Sequence, residues 1–565
     1  MTHFDEEKQN KQLQDLHKQE EEELVATLAE SKYNLPYIDL SRLGVDNEAL
    51  RAISEKDSRE MNVAPFKLFG KNIFIAIHTP SDDLLKKLKD DMERKSLIPT
   101  FYMVSNASLN KVWEGYKEIS MAESSQVGGL DISGEILRET AKKINKIQDI
   151  QKMVTEALEG NKIHKISRLL EIILAGAISI KASDIHIEPE KERGRLRLRL
   201  DGVLQDVNFF TLDVYRLLNS RIKLLSGMKL TSKIAQDGRF NIMEEDEEIS
   251  IRSSLIPGSY GESIVMRILD PKSLQVNLEE LGIEPYLFEI IKSEIVKPNG
   301  LILVTGPTGS GKTTTLYAFL RKIYSPEINI ITIEDPVEYH LTGITQTQVN
   351  IEKGYTFPEG LHSALRQDPD VIMVGEIRDE DTAGIAVQSA LTGHMVFSTL
   401  HTNNAAGVIP RLIDLGVNPK ILVSALSISL AQRLVRKLCT FCKKEYVATT
   451  EETKIIKSIL DKMKEEGKDF SKYNLKIDTD FKIFSKVGCE KCNSTGYKGR
   501  IGIFEAIKTD EAIEKIIPEN PSEREIKKVA SLQGILSMQQ DGLLKILNGI
   551  TSFEEVASVV DLNEE

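Results

Sequence analysis

The stretch Leu301–Thr313, LILVTGPTGSGKT, constrains the fold of this chain more than any other part of it. Four apolar residues, Leu301–Val304, predict a buried strand, and the run Thr314–Tyr324 predicts a helix. Between them lies G-x-x-x-x-G-K-T, the phosphate-loop pattern in the strand–loop–helix setting that it requires. A glycine-rich turn without a ligand is a much weaker interpretation in that setting. The sequence therefore predicts a nucleotide-binding domain.

The residue types of the loop follow from phosphate chemistry. Glycines let backbone N–H groups close round an oxyanion, and the helix N-terminus adds positive potential at the same point. Lys312 is predicted to neutralise the β- and γ-phosphates, and the Thr313 hydroxyl is predicted to ligate Mg²⁺. The residues predicted to bind nucleotide are Gly306, Pro307, Thr308, Gly309, Ser310, Gly311, Lys312, Thr313 and Thr314.

Length, charge and cysteine content limit the class of protein. A chain of 565 residues is too long for one core, so about three or four domains are expected. It has no run of about eighteen apolar residues, and its N-terminus is polar, so neither a membrane span nor a signal peptide is expected. Four cysteines and no export signal favour a reducing cytosol. The net charge of −13 argues against a general nucleic-acid binder but leaves a local basic groove open.

Composition and turn signals divide the chain into five parts. Residues 1–34 predict a helical arm, which is either a solvated helix or a docking helix for a partner. Residues 35–120 predict a small N-terminal α/β adaptor domain. Residues 121–150 predict a linker, because the run SMAESSQVGG begins at residue 120 and continues into this segment. Residues 151–290 predict a second α/β domain. Residues 291–565 predict the nucleotide-binding domain, with an insert at 436–505 and closing helices.

The second domain carries a set of arginines on predicted strands. The segment RLRLRL alternates with period two, which predicts a half-buried strand with an arginine face, and two later strands carry one arginine each. A solvated face is the usual explanation of such arginines. The phosphate loop in the next domain favours the alternative, that some of them meet the γ-phosphate. These arginines are Arg195, Arg197, Arg199, Arg252 and Arg267.

Charged clusters follow three predicted strands of the nucleotide-binding domain. Strand and helix patterns alternate there, which predicts a mostly parallel sheet with ligands beyond the carboxyl ends of its strands. Glu334–Glu338, Gly375–Asp379 and Leu400–Thr402 each come directly after such a strand. Phosphoryl transfer needs a metal holder, a water-orienting base and a γ-phosphate sensor, and three converging clusters can supply them.

The insert contains two C-x-x-C pairs, Cys439 with Cys442 and Cys489 with Cys492. Four thiolates in this arrangement are the ligand set of a closed, structural zinc site, because no position is left open for a substrate. Reduced thiols or redox pairs are the alternatives, and the cytosolic setting disfavours disulfides.

The chain also resembles a known family, through motifs that occur in that family's order. They are ASDIHIEP, LRLDGVL, QDGRF, GPTGSGKTTTLY, TIEDPVEY, LRQDPDVIMVGEIRDEDTA, TGHMVFSTLHTNNA, the two C-x-x-C pairs and GRIGIFE. As a set they resemble the secretion-superfamily ATPases that power type IV pilus assembly and type II secretion. The resemblance runs from about residue 35 and is dense from Ala182 to Glu555. It implies an α/β chain in which a RecA-like P-loop ATPase domain follows a PAS-like α/β domain and a small N-terminal α/β domain.

Site residues can be carried over from the family one by one. The family's Asp box corresponds to Glu334, Asp335 and Glu338, and the resemblance implies that Glu338 is the base that aligns the attacking water. Glu376 matches the Walker B glutamate and is expected to hold Mg²⁺ through water, together with Thr313. His394 and His401 match the His box, which links the γ-phosphate to subunit movement. The expected catalytic residues are Glu338, Glu376, Lys312, Arg252, Arg267 and His401.

The resemblance implies a machine as well as a site. In the family the units form a hexameric ring, and the stroke acts on a membrane platform protein that stacks pilin subunits. The tetracysteine insert and the extra N-terminal domain are typical of the assembly motors, so the expectation is a cytoplasmic ATP phosphohydrolase that extends type IV pili or type II secretion pseudopili. ATP, Mg²⁺ and Zn²⁺ are the expected cofactors. Nucleic acid is not an expected partner, and contact with the inner face of the cell membrane is expected only through the platform protein.

Three alternatives stay open at this stage. A DNA-uptake or conjugation-type translocation motor shares the core motifs, and so does a retraction motor, although the zinc knuckles disfavour the latter. A nucleotide-gated scaffold that binds ATP without turnover is the third, and the intact Glu338, Glu376 and Lys312 disfavour it.

Overall fold

A computed structural model describes residues 21–40, 46–50, 52–95, 97–113, 115–116, 134–159, 165–230, 234–244, 247–271, 275–473 and 481–563. The first twenty residues of the predicted arm and the part of the predicted linker before residue 134 lie outside these ranges. The division into an arm, adaptor, linker, second domain and nucleotide-binding domain stays a prediction, and the sheets are described below as separate units.

The N-terminal unit is a three-stranded sheet of β1 Val63–Phe69, β2 Asn72–Ile77 and β3 Ile98–Met103, with β2 in the centre. Helices Asn47–Leu50, Glu55–Glu60 and Asp82–Arg94 accompany it. Residues 21–28 are helical and continue into a π-helical turn, Ala29–Tyr33. Val25 and Ala29 from this segment are buried against Met103. The described part of the arm therefore packs onto its own chain.

The arginine unit, residues 134–271, is built on a six-stranded antiparallel sheet. Its strands are β4 Asp184–Pro189, β5 Gly194–Leu200, β6 Val203–Phe210, β7 Gln236–Glu244, β8 Glu247–Gly258 and β9 Gly261–Leu269, in the order β6-β5-β4-β9-β8-β7. Its helices are Gly134–Ala141, Ile147–Glu159, Lys165–Ser179 and Leu212–Leu225. The alternation predicted for RLRLRL is present, because every leucine of β5 is buried and every arginine is half-buried.

Two helices of this unit begin within the segment for which the sequence predicts a linker. Leu137, Ile144, Ile147 and Ile150 are buried in the same core as the strands of the six-stranded sheet. The Ser- and Gly-rich composition that favoured a linker ends near residue 134, and helical periodicity begins there. Residues 134–150 thus contribute to a packed core in the structure.

The phosphate-loop unit, residues 275–563, is built on a seven-stranded sheet in which all strands but one are parallel. Its strands are β10 Gly300–Thr305, β11 Ile330–Glu334, β12 Thr345–Gln348, β13 Val371–Val374, β14 Met395–Leu400, β15 Leu426–Leu438 and β18 Tyr497–Lys508, in the order β12-β11-β13-β14-β10-β15-β18. Apolar clusters on both faces bury β10 completely. The predicted mixed α/β class with a mostly parallel sheet is confirmed.

Helices cover both faces of this sheet and close the chain. They are Pro285–Glu294, Lys312–Ile323, Phe357–Ala364, Glu380–Leu391, Val408–Asp414, Pro419–Ala425, Thr450–Glu465, Glu511–Ile516, Glu523–Ala530, Met538–Leu547 and Phe553–Ala557. Short 3₁₀ turns lie at Leu278–Glu280, Ile351–Lys353, Leu365–Gln367, Phe470–Tyr473, Glu490–Cys492, Ile517–Glu519 and Ser531–Gln533. None of the helices in the described ranges is both long and apolar enough to cross a lipid bilayer.

The insert connects β15 and β18, which form the antiparallel pair of the seven-stranded sheet. β15 and β18 run side by side along most of their length, and the chain between them forms a second, two-stranded sheet of β16 Lys444–Val447 and β17 Lys482–Ser485. Helix Thr450–Glu465 lies between those two strands in the sequence. All four cysteines lie close to the far end of the β15–β18 pair.

A buried ion pair ties a closing helix to β18. Asp541 is fully buried, both of its oxygens lie 2.6 Å from Lys545 Nζ, and Oδ2 also accepts the Phe504 amide at 2.8 Å. A buried charge that loses its partner is strongly destabilising, because nothing replaces the lost hydration.

We therefore expect Lys545→Met to destabilise the phosphate-loop unit by about 3–5 kcal/mol. Thermal unfolding measured by calorimetry checks this. The matched control is Lys527→Met. Lys527 lies 3.3 Å from Glu523, with the same four-residue spacing as Lys545 and Asp541, but this pair is exposed. An exposed pair of this kind contributes about 0.5 kcal/mol. Equal shifts of the unfolding midpoint in the two variants would contradict the expected role of the buried pair.

Candidate functional site

The phosphate loop lies at the carboxyl end of β10, between β14 and β15. The loop leaves the sheet after Thr305 and enters helix Lys312–Ile323. Gly306 has a φ of 143°, and a Cβ added there would lie 2.4 Å from the backbone oxygen of Gln432 on β15. At Gly311, with a φ of 90°, a Cβ would lie 2.8 Å from the Gln432 side-chain nitrogen. Both positions therefore exclude any side chain.

The interior of the loop presents polar groups that suit an oxyanion. Lys312 Nζ donates to the carbonyls of Gly306 at 2.8 Å and Pro307 at 3.1 Å, so the ammonium group lies over the loop. Burial lowers the pKa of Lys312, and the nearby charge of Glu376 opposes that shift. Among the residues that the structure describes, no group hydrogen-bonds to the buried Ser310 Oγ. An ammonium group and an unsatisfied hydroxyl inside a glycine loop fit a bound phosphate.

Glu376 and His401 meet at the same edge of the sheet. Glu376 follows β13, forms an ion pair with Arg378, and has Oε2 3.5 Å from His401 Nε2. The Glu376 side chain is only 12% exposed, and Lys312 is near enough to feel its charge. The Thr313 hydroxyl belongs to the first turn of the adjacent helix. Carboxylate and hydroxyl oxygens are ligands that Mg²⁺ prefers, so the donor set fits this ion.

The other histidine of the sequence motif, His394, does not lie at this edge. His394 precedes β14 and His401 follows it, so the length of a six-residue strand, about 20 Å, separates them. His394 Nδ1 lies 3.1 Å from the Ser389 carbonyl on the opposite side of the sheet. Of the two histidines of the motif, His401 lies beside Glu376 at the carboxyl end of the strands, and His394 lies at the opposite end of β14.

Arg252 crosses from the arginine unit to the loop that follows β11. Its Nη2 donates to the Val337 carbonyl at 2.9 Å, and its Nη1 lies 3.6 Å from Glu338 Oε2. That carboxylate oxygen is buried and, within the described ranges, has no hydrogen-bond partner. Arg252 and Glu338 are each about one third exposed, at 30% and 32%. The contact brings two of the predicted site residues together from different units.

The other predicted arginines pair with acids of their own unit. Arg267 Nε lies 3.0 Å from Asp184 Oδ1, and Arg199 Nε lies 3.3 Å from Asp184 Oδ2. Arg197 pairs with Glu188, and Arg195 pairs with Asp206. The Arg267 side chain keeps 62% of its surface exposed. The arginine face is therefore a network of ion pairs, and Arg252 is the predicted arginine that contacts the phosphate-loop unit.

Two glutamines support the site and escaped the sequence analysis. Gln432 Oε1 accepts the Thr315 hydroxyl at 2.7 Å directly beneath the phosphate loop. Gln346 Nε2 donates to Glu334 Oε1 and to the Tyr339 carbonyl, both at 3.1 Å, which ties the loop containing Glu338 to β11. Burial raises the pKa of Glu334. The only signal for Gln432 was a polar residue in a largely apolar run, and Gln346 lies in the wholly polar run TQTQ. Neither pattern indicates which residue the glutamine contacts.

The four cysteines form one compact cluster. The Sγ–Sγ distances are 3.9 Å for Cys439–Cys489, 3.8 Å for Cys442–Cys492 and 3.7 Å for Cys489–Cys492. A tetrahedron with zinc–sulfur bonds of about 2.3 Å has edges of about 3.8 Å. The backbone N–H groups of Gly488, Cys489 and Gly496 donate to these sulfurs. The arrangement therefore fits a tetrahedral metal ion.

Fold and site define a P-loop nucleoside triphosphatase in which an arginine from a preceding unit contacts the loop that carries Glu338. Similarity to known proteins identifies its family. The sequence profile described as type II/IV secretion system protein matches residues 159–558. Type IV pilus assembly ATPase PilB of Myxococcus xanthus is 34% identical over 543 residues, which covers 95% of this chain and 91% of that protein. Type II secretion system protein E of Aeromonas hydrophila is 44% identical over 405 residues, covering 72% of this chain and 77% of that protein.

A solved structure agrees at the level of the fold. The ATPase DotB of Yersinia pseudotuberculosis aligns with a TM-score of 0.50 at 21% identity, covering 70% of this chain and 94% of that one. The chain belongs to the type II/IV secretion system protein family, and it is an ATPase.

Gly306→Ala is expected to weaken nucleotide binding at least about tenfold, because it combines a clash with Gln432 and a left-handed φ. Titration of a fluorescent ATP analogue measures this. Gly384→Ala is the control, since Gly384 lies in helix Glu380–Leu391 with no atom within 4 Å of an added Cβ. Wild-type affinity in Gly306→Ala would show that the loop is not packed against β15 in the nucleotide-binding state.

Proposed function

We propose that this chain is the motor that assembles a type IV pilus or a type II secretion pseudopilus. It acts as a homo-hexamer on a membrane platform protein at the inner, cytoplasmic face of the cell membrane. Membership of the family and the full-length similarity to a pilus assembly ATPase support the proposal. The observation that carries it is the contact of Arg252 with Val337 and Glu338, because it joins a movable unit to the hydrolysis site.

The proposed reaction is hydrolysis of ATP by water at the γ-phosphate. Residues 306–314, Lys312 among them, would hold the triphosphate. Thr313 and Glu376 would hold Mg²⁺, which would supply positive charge at the phosphates. Glu338 orients the water from the loop after β11, beside Arg252. His401, beside Glu376, senses whether the γ-phosphate is present.

Arg252 and Arg267 stabilise the charge that develops on the γ-phosphoryl group. Arg252 already lies at the loop, and Arg267 reaches it once the arginine unit moves and its exposed guanidinium leaves Asp184. An arginine supplied in this way contributes about 10³–10⁵ in rate in related systems. Closure of the arginine unit on ATP and its opening after hydrolysis is the proposed stroke.

Glu338→Gln and Lys312→Ala test the proposed chemistry. Both variants are expected to lose at least about 10²-fold in turnover, because one removes the base and the other the cation at the phosphates. Steady-state phosphate release measures this, and Glu338→Gln should still bind the ATP analogue. Glu352→Gln, at an exposed site, is the matched control. Normal hydrolysis by Glu338→Gln would show that the base is another residue.

We also propose that Cys439, Cys442, Cys489 and Cys492 hold one structural Zn²⁺ per chain. Metal analysis of the purified protein is expected to find about one zinc ion per chain. Cys439→Ser combined with Cys489→Ser is expected to lower the thermal stability of the insert while leaving ATP affinity unchanged, because the cluster lies at the far end of β15. Full stability in metal-free protein would refute the zinc site.

A further inference from the structure

The arginine unit meets the phosphate-loop unit at a second place, the cysteine knuckle, which is the loop of residues 488–499. In each contact, a polar group of the arginine unit pairs with a polar group of the knuckle. They are Ile147 N donating to Asn493 Oδ1 at 3.1 Å, Lys146 Nζ with Glu490 Oε1 at 3.1 Å, and Gly499 N donating to Asp201 Oδ2 at 3.0 Å.

The contact of Asn493 satisfies the start of a helix in the other unit. Ile147 is the first residue of helix Ile147–Glu159, and the first amides of a helix have no acceptor within it. Ile147 is only 5% exposed, so its amide needs a protein partner. The Asn493 side chain supplies this acceptor from the other unit.

The shape of the knuckle depends on the thiols. The amides of Cys489 and Gly496 donate to Cys492 Sγ at 3.1 and 3.2 Å. Glu490 lies inside the turn between the two cysteines, and Asn493 follows Cys492 in the left-handed conformation, with a φ of 49°. Both contact residues are therefore placed by backbone that hydrogen-bonds to the sulfur cluster.

The capped helix connects to the residue at the hydrolysis site. Ile147, Ile150 and Val154 are buried in one core with Ile251 and Met266 of the six-stranded sheet. Ile251 precedes Arg252 on β8, and close-packed cores move as units. A shift of the helix at the knuckle thus becomes a shift of Arg252 relative to Glu338.

We propose that the cysteine knuckle is the docking surface for the arginine unit, and that metal bound by the four thiolates governs where this unit sits relative to Glu338. The dependence on metal rests on the proposed zinc site. The docking contact itself does not, because it involves Asn493, Glu490 and the Gly499 amide.

Asn493→Gly tests the docking contact. Glycine accepts the left-handed conformation, so the variant removes the acceptor without backbone strain. We expect amide hydrogen exchange in peptide 147–159 of the full-length protein to become about three- to tenfold faster, as for loss of a helix cap. Exchange in peptide 312–323 and the metal content should stay unchanged. Asn493→Asp, which keeps an acceptor, should restore the protection.

Asn520→Gly is the matched control, since Asn520 also ends a 3₁₀ turn in the left-handed conformation. It is expected to leave exchange in peptide 147–159 unchanged. Wild-type exchange there in Asn493→Gly, or an equal acceleration in both variants, would overturn the docking surface.

Removal of the metal with a chelator tests whether the metal controls the position of the arginine unit. In protein that contains zinc, chelation should accelerate exchange in peptide 147–159 as Asn493→Gly does. Unchanged exchange after complete removal would overturn the control by metal while leaving the docking contact in place. Protein purified without any metal would refute the zinc site and the control by metal, and Asn493→Gly would still decide the docking contact.

Discussion

A backbone loop that closes round a phosphate leaves no space for side chains, and this constraint extends from the loop into the strand beneath it. Gly306 and Gly311 lie directly over Gln432, whose side chain also accepts the Thr315 hydroxyl. The conformation of the loop is thus fixed from two sides, by its own helix and by β15. The buried Gln432 side chain is thus hydrogen-bonded, and its partner belongs to the helix that begins at the phosphate loop.

The arginine unit touches the phosphate-loop unit through polar contacts of modest strength. Arg252 meets the loop after β11, and the knuckle meets the start of helix Ile147–Glu159. Each hydrogen bond of this kind contributes about 0.5–1.5 kcal/mol, and exposed ion pairs contribute less. A junction of this strength opens and closes at a cost that nucleotide binding can meet, which is compatible with the proposed movement of the arginine unit.

Local patterns predicted what local physics decides. The apolar run before Gly306 predicted β10, the alternation in β5 predicted a half-buried strand, and the two C-x-x-C pairs predicted a cluster whose sulfurs lie within 4.8 Å of one another. The fold class followed from the alternation of strands and helices. These features depend on neighbours in sequence, or on ligand chemistry with fixed spacing.

Long-range pairings were not predictable in the same way. Nothing near Arg267 in the sequence indicates that Asp184, 83 residues earlier, neutralises it, and nothing near Asn493 points to Ile147. The two histidines look equivalent as a motif, but the strand between them sends them to opposite ends of the sheet. The Ser- and Gly-rich composition that favoured a linker lies before residue 134, and the apolar positions of 134–150 are buried in the core of the arginine unit. The roles assigned to the site residues likewise depend on a bound nucleotide and stay predictions.

β15 has a mechanical consequence. It passes under the phosphate loop at Gln432 and ends at Leu438, next to the first cysteine. The seven residue-to-residue steps from Gln432 to Cys439 span about 23 Å of extended chain, and β18 pairs with this arm along most of that length. A tilt of about 5° at the nucleotide end would carry its tip by about 2 Å, a displacement comparable to the reach of a hydrogen bond. A small rotation of β15 beneath the phosphate loop would therefore be large enough at the far end of the strand to make or break a hydrogen bond there.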